Sequence, residues 1–302
     1  MIDFHDITVR DQRWIQPILC AANKPGADYT FTNMLFWTNY YGQVGRVGDF
    51  VTQYLHWEGR NIYLFPAGQG ELRTAVDAVL DDSLRRGGRL RFRGVTADAQ
   101  AFLAEQYPDR FVFTPYRDSF DYIYTVEELT ELRGKKLQSK RNHCHRFEAE
   151  HPDWRTEVVT PENIEKCREM VAVWYENHPE NYEIQSEKKA IARAFEHFAA
   201  IGMDGLMLLD GEQVLGFSMG ARMNRTYYDV CFEKAFADVQ GAYTMINREF
   251  SRYIAEKYPE LEFLNREDDM GEPGLRKAKE SYQPTLLLEK CTADLKEGFE
   301  CG

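Results

Sequence analysis

A rhythm of paired strands, a glycine-bearing turn, an amphipathic helix and a short following strand runs through this chain twice, and it limits the fold more than any other feature. In the first half, "DFVTQYLHWEGRNIYLFPAG" alternates as a hairpin does. After it, "GQGELRTAVDAVLDDSLRRGG" puts Leu72, Val76, Val79 and Leu80 on one helical face, and "RLRF" supplies the next strand. In the second half, "GLMLLDGEQVLGFSMGARMNRTYYDVCFE" reads as a three-stranded meander turning at Asp210-Gly211 and at Asn224. The helix "GAYTMINREFSRYIAEK" follows, with Tyr243, Ile246, Phe250 and Tyr253 at helical spacing, and then the strand "LEFLN". The repetition predicts an α+β chain of two tandem domains, each a mixed, largely antiparallel twisted sheet flanked by helices.

The expected boundary lies near residue 128, giving domains 1–128 and 129–302, with "SFDYIYTVEEL" closing the first. The second adds two helices before its meander. One is "PENIEKCREMVAVWYENH", with Ile164, Cys167, Val171 and Trp174 as its buried stripe and Pro161 just after Thr160 as its capped start; the other is "SEKKAIARAFEHFAAIG".

At 302 residues, with 43% hydrophobic and 28% charged positions, the chain has the material for two such cores. No window approaches eighteen apolar residues and the opening "MIDFHDITVRDQRW" lacks an apolar run, so neither a membrane span nor a signal peptide is expected, and the expected compartment is cytoplasmic. Six scattered cysteines show no paired short spacing, which argues against a zinc site and against a disulfide framework; no metal is expected. The histidines, His178 among them, form no constellation. Hydrolase, NTPase and zinc-protease signatures are missing.

A formal charge of -12 opposes general adhesion to nucleic acid, so DNA is not an expected partner and any polyanion must be met locally. One place is suited to that. "LRGKKLQSKRNHCHRFEAEHP" holds six Lys or Arg between Arg133 and Arg146 and no acid, in a chain with 37 such residues overall. As a helix from about Leu137 to Glu150 it buries Leu137, Cys144 and Phe147 and aligns Lys136, Lys140 and His143, with Arg141 and Arg146 as forked donors. Such a face grips phosphates, or stands as a solvated basic helix against an acidic protein.

That segment, with "NREDDMGEPGLRKAKESYQP" far downstream, resembles the bacterial family related to the catalytic C-terminal domain of phosphatidylglycerol lysyltransferase, a tandem GNAT acyltransferase architecture. The resemblance covers nearly the whole chain. It implies two GNAT-like domains, the first structural and the second carrying an active site. It also implies transfer of an acyl or aminoacyl group from acyl-CoA or aminoacyl-tRNA to an amine or hydroxyl, with no tightly bound cofactor and with tRNA as a partner in the second case. The sequence lacks the membrane-embedded portion of the lysyltransferases, so a small-molecule or peptide acceptor is expected rather than a lipid.

Carried onto this chain, the resemblance places Gln240, Gly241 and Ala242 at the loop where backbone N–H groups meet the donor's pyrophosphate, although only Gln-Gly-Ala of the family's pattern is present. Asn265 would present its amide to the donor, and Lys136, Lys140 and Arg141 would hold donor phosphates. Tyr282 stands where a tyrosine protonates the leaving group, with a core tyrosine as the other reading. Glu233 or a water would take the acceptor proton. Strand alternation puts Asp229 on the face of Glu233, and Asp229, Glu267 and Asp268 are the acceptor-side candidates. With Glu267 and Asp268, Asp269 could recognise an amine acceptor or bind a divalent cation, since clustered carboxylates attract both, or it stands as a solvated loop acid. In "PAGQGEL" of the first half, Glu71 after Gly70 sets a carboxylate beside the equivalent anion site, as in a structural copy. The incomplete loop leaves one rival, a non-catalytic tandem scaffold binding a phosphorylated ligand or a protein partner.

Overall fold

The computed structural model describes residues 1–177 and 181–297, so His178 and Cys301 lie outside the described residues. From the N-terminus the chain forms β1 (Phe4–His5), α1 (Gln12–Ala22), α2 (Phe31–Phe36), α3 (Thr38–Tyr41), β2 (Gln43–Val47), β3 (Phe50–Trp57), β4 (Arg60–Leu64), β5 (Ala67–Gly68), α4 (Leu72–Arg86), β6 (Arg89–Val95), α5 (Ala97–Gln106) and β7 (Phe111–Pro115). It continues through β8 (Asp121–Thr125), α6 (Val126–Glu131), α7 (Gln138–Glu150), β9 (Trp154–Val158), α8 (Ile164–Glu176), α9 (Tyr182–Ile201), β10 (Asp204–Asp210), β11 (Gln213–Arg222) and β12 (Tyr227–Ala235). The last elements are α10 (Ala242–Lys257), β13 (Phe263–Asn265), α11 (Pro273–Glu280), β14 (Leu286–Leu288) and β15 (Cys291–Leu295).

Two compact units result. The first comprises Met1–Asp121, Asp268–Pro273 and the chain from Leu287; the second comprises Tyr122–Glu267 and Gly274–Leu286. The division expected near residue 128 therefore falls at Asp121, and the last strand goes with the first unit. Strand β8, expected to close the first domain, pairs in the second sheet beside β13, while β15 inserts between β6 and β7 of the first. The physical reason is visible in β8: Asp121 to Tyr124 are all buried, and a strand covered on both faces carries no alternation to say which sheet it joins.

The first sheet runs β1-β2-β3-β4-β6-β15-β7, with β5 on β3. Its hairpin β3–β4 closes Trp57 onto Arg60 through Glu58 and Gly59, whose φ of 48° and 72° are those of the tight turn that matches strand twist. Strands β4 and β6 are parallel, joined by α4, whose Val76, Val79 and Leu80 are buried against Tyr63, Phe65 and Phe92. Each such side chain removed from water contributes roughly 1.5–3 kcal/mol.

The second sheet runs β14-β8-β13-β12-β11-β10-β9. Its meander turns where expected: Asn224 Oδ1 accepts from the N–H groups of Thr226 at 3.0 Å and Tyr227 at 2.9 Å, a side chain closing the turn. Helix α10 connects the parallel pair β12 and β13 and buries Met245, Ile246, Phe250 and Ile254. Helix α8 starts at Ile164 rather than at Pro161, because Asn163 Oδ1 takes the Thr160 N–H at 2.7 Å and holds residues 161–163 as a turn.

Candidate functional site

Parallel strands joined by a helix must diverge once their pairing stops, and in the second unit they stop early. The pairing of β12 with β13 ends at Asp229 opposite Asn265, while β12 runs on to Ala235. At this open end a cluster of charged, polar and aromatic side chains converges from six stretches of chain. Arg266, next after β13, donates through Nη2 to Glu233 Oε1 of β12 at 2.8 Å, and Asn247 of α10 donates to Glu233 Oε2 at 3.0 Å. The Arg266 guanidinium carbon lies 4.9 Å from the Tyr282 ring centre and 5.8 Å from that of Tyr124 in β8. Lys140 of α7 sets its Nζ 3.9 Å from the same Tyr282 ring. Tyr124 in turn donates to the Lys279 carbonyl at 2.7 Å, fixing the end of α11 from which Tyr282 hangs.

Electrostatics follow from that enclosure. Burial opposes the Arg266 charge, but Glu233 and the surrounding tyrosines outweigh it, so the guanidinium stays protonated. Lys140 has weaker support: burial first, and Arg266 second, pull its ammonium down to about 8. Burial pushes the Tyr282 phenol up to about 12, against the opposing pull of Arg266 and a hydrogen bond with Thr244 in the first turn of α10. The site thus holds a phenol that keeps its proton, a carboxylate bridged by two donors and a lysine poised near neutrality.

The expected residues fall into distinct places. Tyr282, Glu233 and Lys140 come together as described. Asp229 lies in another group: the Cys231 thiol is 3.5 Å from its Oδ2, and ligand atoms of Asp229, Cys231 and Glu267 all lie within 4.8 Å of one another. Three donors, one a thiol, are fewer than the four of a closed zinc site and equal the three protein ligands of an open one. Asn265 is buried with its Oδ1 accepting the Glu267 N–H at 2.7 Å. Asp268 begins a segment of the first unit, where its Oδ1 accepts from Met270 N at 3.2 Å, while Glu267 ends a segment of the second. Asp269 is not solvated; it is fully buried and bonded by Arg117 at 3.1 Å.

The basic segment forms its helix over Gln138–Glu150 with Leu137, Cys144 and Phe147 buried. Its cations divide between tasks. Arg141 donates to the carbonyl oxygens of Leu132 and, at 2.8 Å, Gly134, tying down its own approach turn; Arg146 pairs with Glu150. Lys136 stays exposed in the turn before α7 and Lys140 faces inward. At the expected donor loop Gln240 is exposed, and the Ala242 N–H is donated to the Val239 carbonyl at 3.1 Å.

Gly241 has a φ of +88°, and a Cβ there would meet the His143 carbonyl oxygen at 2.5 Å and Phe147 Cβ at 3.0 Å. The glycine is what lets α7 lie against the start of α10. Gly241→Ala is accordingly expected to destabilise the second unit by on the order of 2–4 kcal/mol, from left-handed strain plus a backbone clash that cannot relax, read as a lowered calorimetric melting temperature.

The equivalent opening in the first unit is filled by its own chain. A short turn at Ala27–Tyr29 brings the Tyr29 hydroxyl to 3.2 Å from both the Phe65 and the Gly94 carbonyl oxygens, at the end of the β4–β6 pairing. Asp28 beside it pairs with Arg93 at 2.9 Å.

Arg266, Asn247, Thr244 and Tyr124 were not among the expected site residues. Arg266 stands one residue past Asn265, and its place directly after a short strand in "LNREDD" was the available signal. Asn247 sits one turn beyond the Gly241 loop on the α10 face that also buries Thr244.

Comparison with known proteins agrees with this architecture. The family model described as phosphatidylglycerol lysyltransferase, C-terminal, matches residues 21–293. The crystal structure of a conserved protein of unknown function from Bacteroides thetaiotaomicron VPI-5482 is 35% identical, with a TM-score of 0.92 over 98% of this chain and 100% of that one. The structure of L-PGS from Bacillus licheniformis is 15% identical with a TM-score of 0.60, covering 84% of this chain and 82% of that one. A tandem GNAT protein from the clavulanic acid biosynthesis pathway is 10% identical with a TM-score of 0.50 over 100% of both chains. These last two share the fold. An uncharacterised protein of Mycoplasmoides gallisepticum is 23% identical over 179 residues, 58% of this chain and 56% of that protein, so the chain spans about half the length of the curated relative it matches. No helix among the described residues is long and apolar enough to cross a membrane. With a tandem GNAT-like fold and a family match running from residue 21 to residue 293, the chain belongs to the phosphatidylglycerol lysyltransferase C-terminal family.

Proposed function

We propose that the second unit is an aminoacyltransferase that moves an aminoacyl group from aminoacyl-tRNA to an amine or hydroxyl of a small or peptide acceptor. The observation that carries this reading is the convergence of Glu233, Arg266, Tyr282 and Lys140 at the open end of the β12–β13 pair. In it the acceptor attacks the ester carbonyl carbon, a tetrahedral intermediate forms, and the bond to the ribose oxygen breaks. Tyr282 gives its proton to that leaving oxygen, which it is able to do because burial keeps it protonated up to about 12. Glu233, bridged by Arg266 and Asn247, still has lone pairs to accept the acceptor's proton directly or through a water. Holding the reactants in register supplies the remaining rate enhancement.

The family's lysyltransferase name supports an aminoacyl donor, and Lys136, exposed before α7, offers a local cation in an otherwise acidic protein. The test is to incubate the protein with radiolabelled aminoacyl-tRNA or acetyl-CoA and a pool of amines. Passage of label from tRNA into an amide product is the expected result. Consumption of acetyl-CoA instead would make CoA the donor, and no loss of either donor would favour the binding scaffold.

A further inference from the structure

Two cations lie against the Tyr282 ring, Lys140 and Arg266, and one carboxylate, Glu233, answers them. Both Glu233 oxygens are engaged, by Arg266 and Asn247. Lys279, the next cation, donates to the Arg266 carbonyl at 2.5 Å. Two donor positions are left. Arg266 Nη1 is buried with no hydrogen-bond partner, and Lys140 Nζ rests on the Tyr282 ring face without an ion pair among the described residues. A buried donor and a poorly compensated charge are costly in a free protein, and both are relieved by one arriving anion.

Resting on the transferase reading above, we propose that this pocket binds the free carboxylate of the acceptor, an amino acid or a peptide C-terminus, with its oxygens taken by Lys140 Nζ and Arg266 Nη1. Charge balance favours a carboxylate. Of the groups that would touch the ligand, Lys140 and Arg266 less Glu233 leave about one positive charge, which matches a monoanion, with Lys279 held on the Arg266 carbonyl outside that count; a phosphate monoester brings roughly -1.5 to -2. Chemistry assigns that carboxylate to the acceptor. In an aminoacyl ester or an acyl thioester the donor's reacting carboxyl is already bonded and carries no charge, so, apart from the side-chain carboxylate of an acidic donor, the free carboxylate is the acceptor's. Arg266 is suited to the role because its fork is held by Glu233 on one arm and open on the other.

The experiment is calorimetric titration of the whole protein with alanyl-alanine, with its C-terminal amide and with inorganic phosphate. The dipeptide is expected to bind at least about tenfold more tightly than the amide, the difference one charge-assisted contact makes. Binding at pH 8 in buffers of different ionisation heat is expected to show proton uptake. The groups facing Lys140 are Arg266, Glu233, Tyr282 and, on its own helix, Cys144. Cys144 is pushed up to about 11 and Tyr282 to about 12, so an anion that raises Lys140 from about 8 makes Lys140 the proton acceptor, and affinity declines above pH 8. Lys140→Gln should abolish both the preference and the uptake, and Lys140→Arg should restore the preference without the uptake. Equal affinity for dipeptide and amide, no binding of either, or tighter binding of phosphate would each overturn the assignment. The two readings fail separately. Selective carboxylate binding without donor consumption sinks only the transferase, whereas equal transfer to free and amidated acceptors sinks only the carboxylate site.

Discussion

Tyr282→Phe is expected to lower the single-turnover transfer rate by roughly 10²- to 10⁴-fold while leaving donor affinity unchanged, the range one positioned proton donor commands. The substitution keeps the ring on which Lys140 and Arg266 rest and removes only the hydroxyl and its bond to Thr244, a loss of about 0.5–1.5 kcal/mol in stability. That separation makes the experiment informative. A tyrosine that merely packs would lose that stability and keep its rate. The wild-type rate should also show no decline attributable to Tyr282 until the pH nears 12, since the phenol is the proton-bearing form below that value. Loss of the Lys140 ammonium as pH rises through about 8 gives a declining limb there instead, opposite in sense to the rising limb of an acceptor α-amine.

How much of this was legible in the sequence depends on range. Elements set by local period were legible: the β3–β4 hairpin with its Glu58-Gly59 turn, the meander with Asn224, and the α7 stripe of Leu137, Cys144 and Phe147 all lie where alternation and helical spacing put them. Strand exchange between the sheets was not. Strand β15 pairs with β6 at Cys291 opposite Val95, a partner almost two hundred residues away, and nothing in "CTADL" names it. The site divides the same way. Tyr282, Glu233 and Lys140 were legible as chemically suited groups near expected strand and helix ends. Arg266 was not, because its importance comes from being enclosed by rings from β8 and the end of α11, a property of packing rather than spacing. The basic run shows the limit most clearly. Counting cations suggested a continuous phosphate face, yet Arg141 binds its own backbone and Arg146 its neighbour Glu150, leaving Lys140 as the inward-facing one.

Lys290→Met is expected to cost the first unit about 3–5 kcal/mol, because it strands buried carboxylates that now have a balanced set of partners. Lys290 Nζ lies 2.7 Å from Asp28 Oδ2 and 2.8 Å from Asp121 Oδ1, and Arg93 bonds Asp28 from the other side at 2.9 Å. All of Asp28, Asp121 and Lys290 are buried. Burial alone would push the Asp28 carboxyl up, but Lys290 and Arg93 outweigh it and hold Asp28 below the ordinary carboxylate range. A depressed carboxyl stabilises the fold above its ordinary range, and that contribution is lost as pH falls through the folded value. Removing Lys290 reverses the sense: the carboxylates are left with one guanidinium, the proton affinity of Asp28 rises, and the penalty is largest at neutral pH and shrinks toward pH 4. Urea unfolding of wild type and variant at pH 7 and pH 5, followed through the transition of the first unit, measures both the size and the slope. A loss under about 1 kcal/mol at pH 7 would mean that water already compensates the cluster. Lys290→Met with Asp121→Asn should recover part of the loss, since one carboxylate then faces one guanidinium. The same cluster holds the turn that fills this unit's cleft, because Asp121 Oδ2 accepts the Ala27 N–H at 2.8 Å and Asp28 adjoins Tyr29. Weakening it should therefore raise amide exchange at Ala27 to Thr30 before the rest of the unit, as the Tyr29 hydroxyl leaves the Phe65 and Gly94 carbonyls.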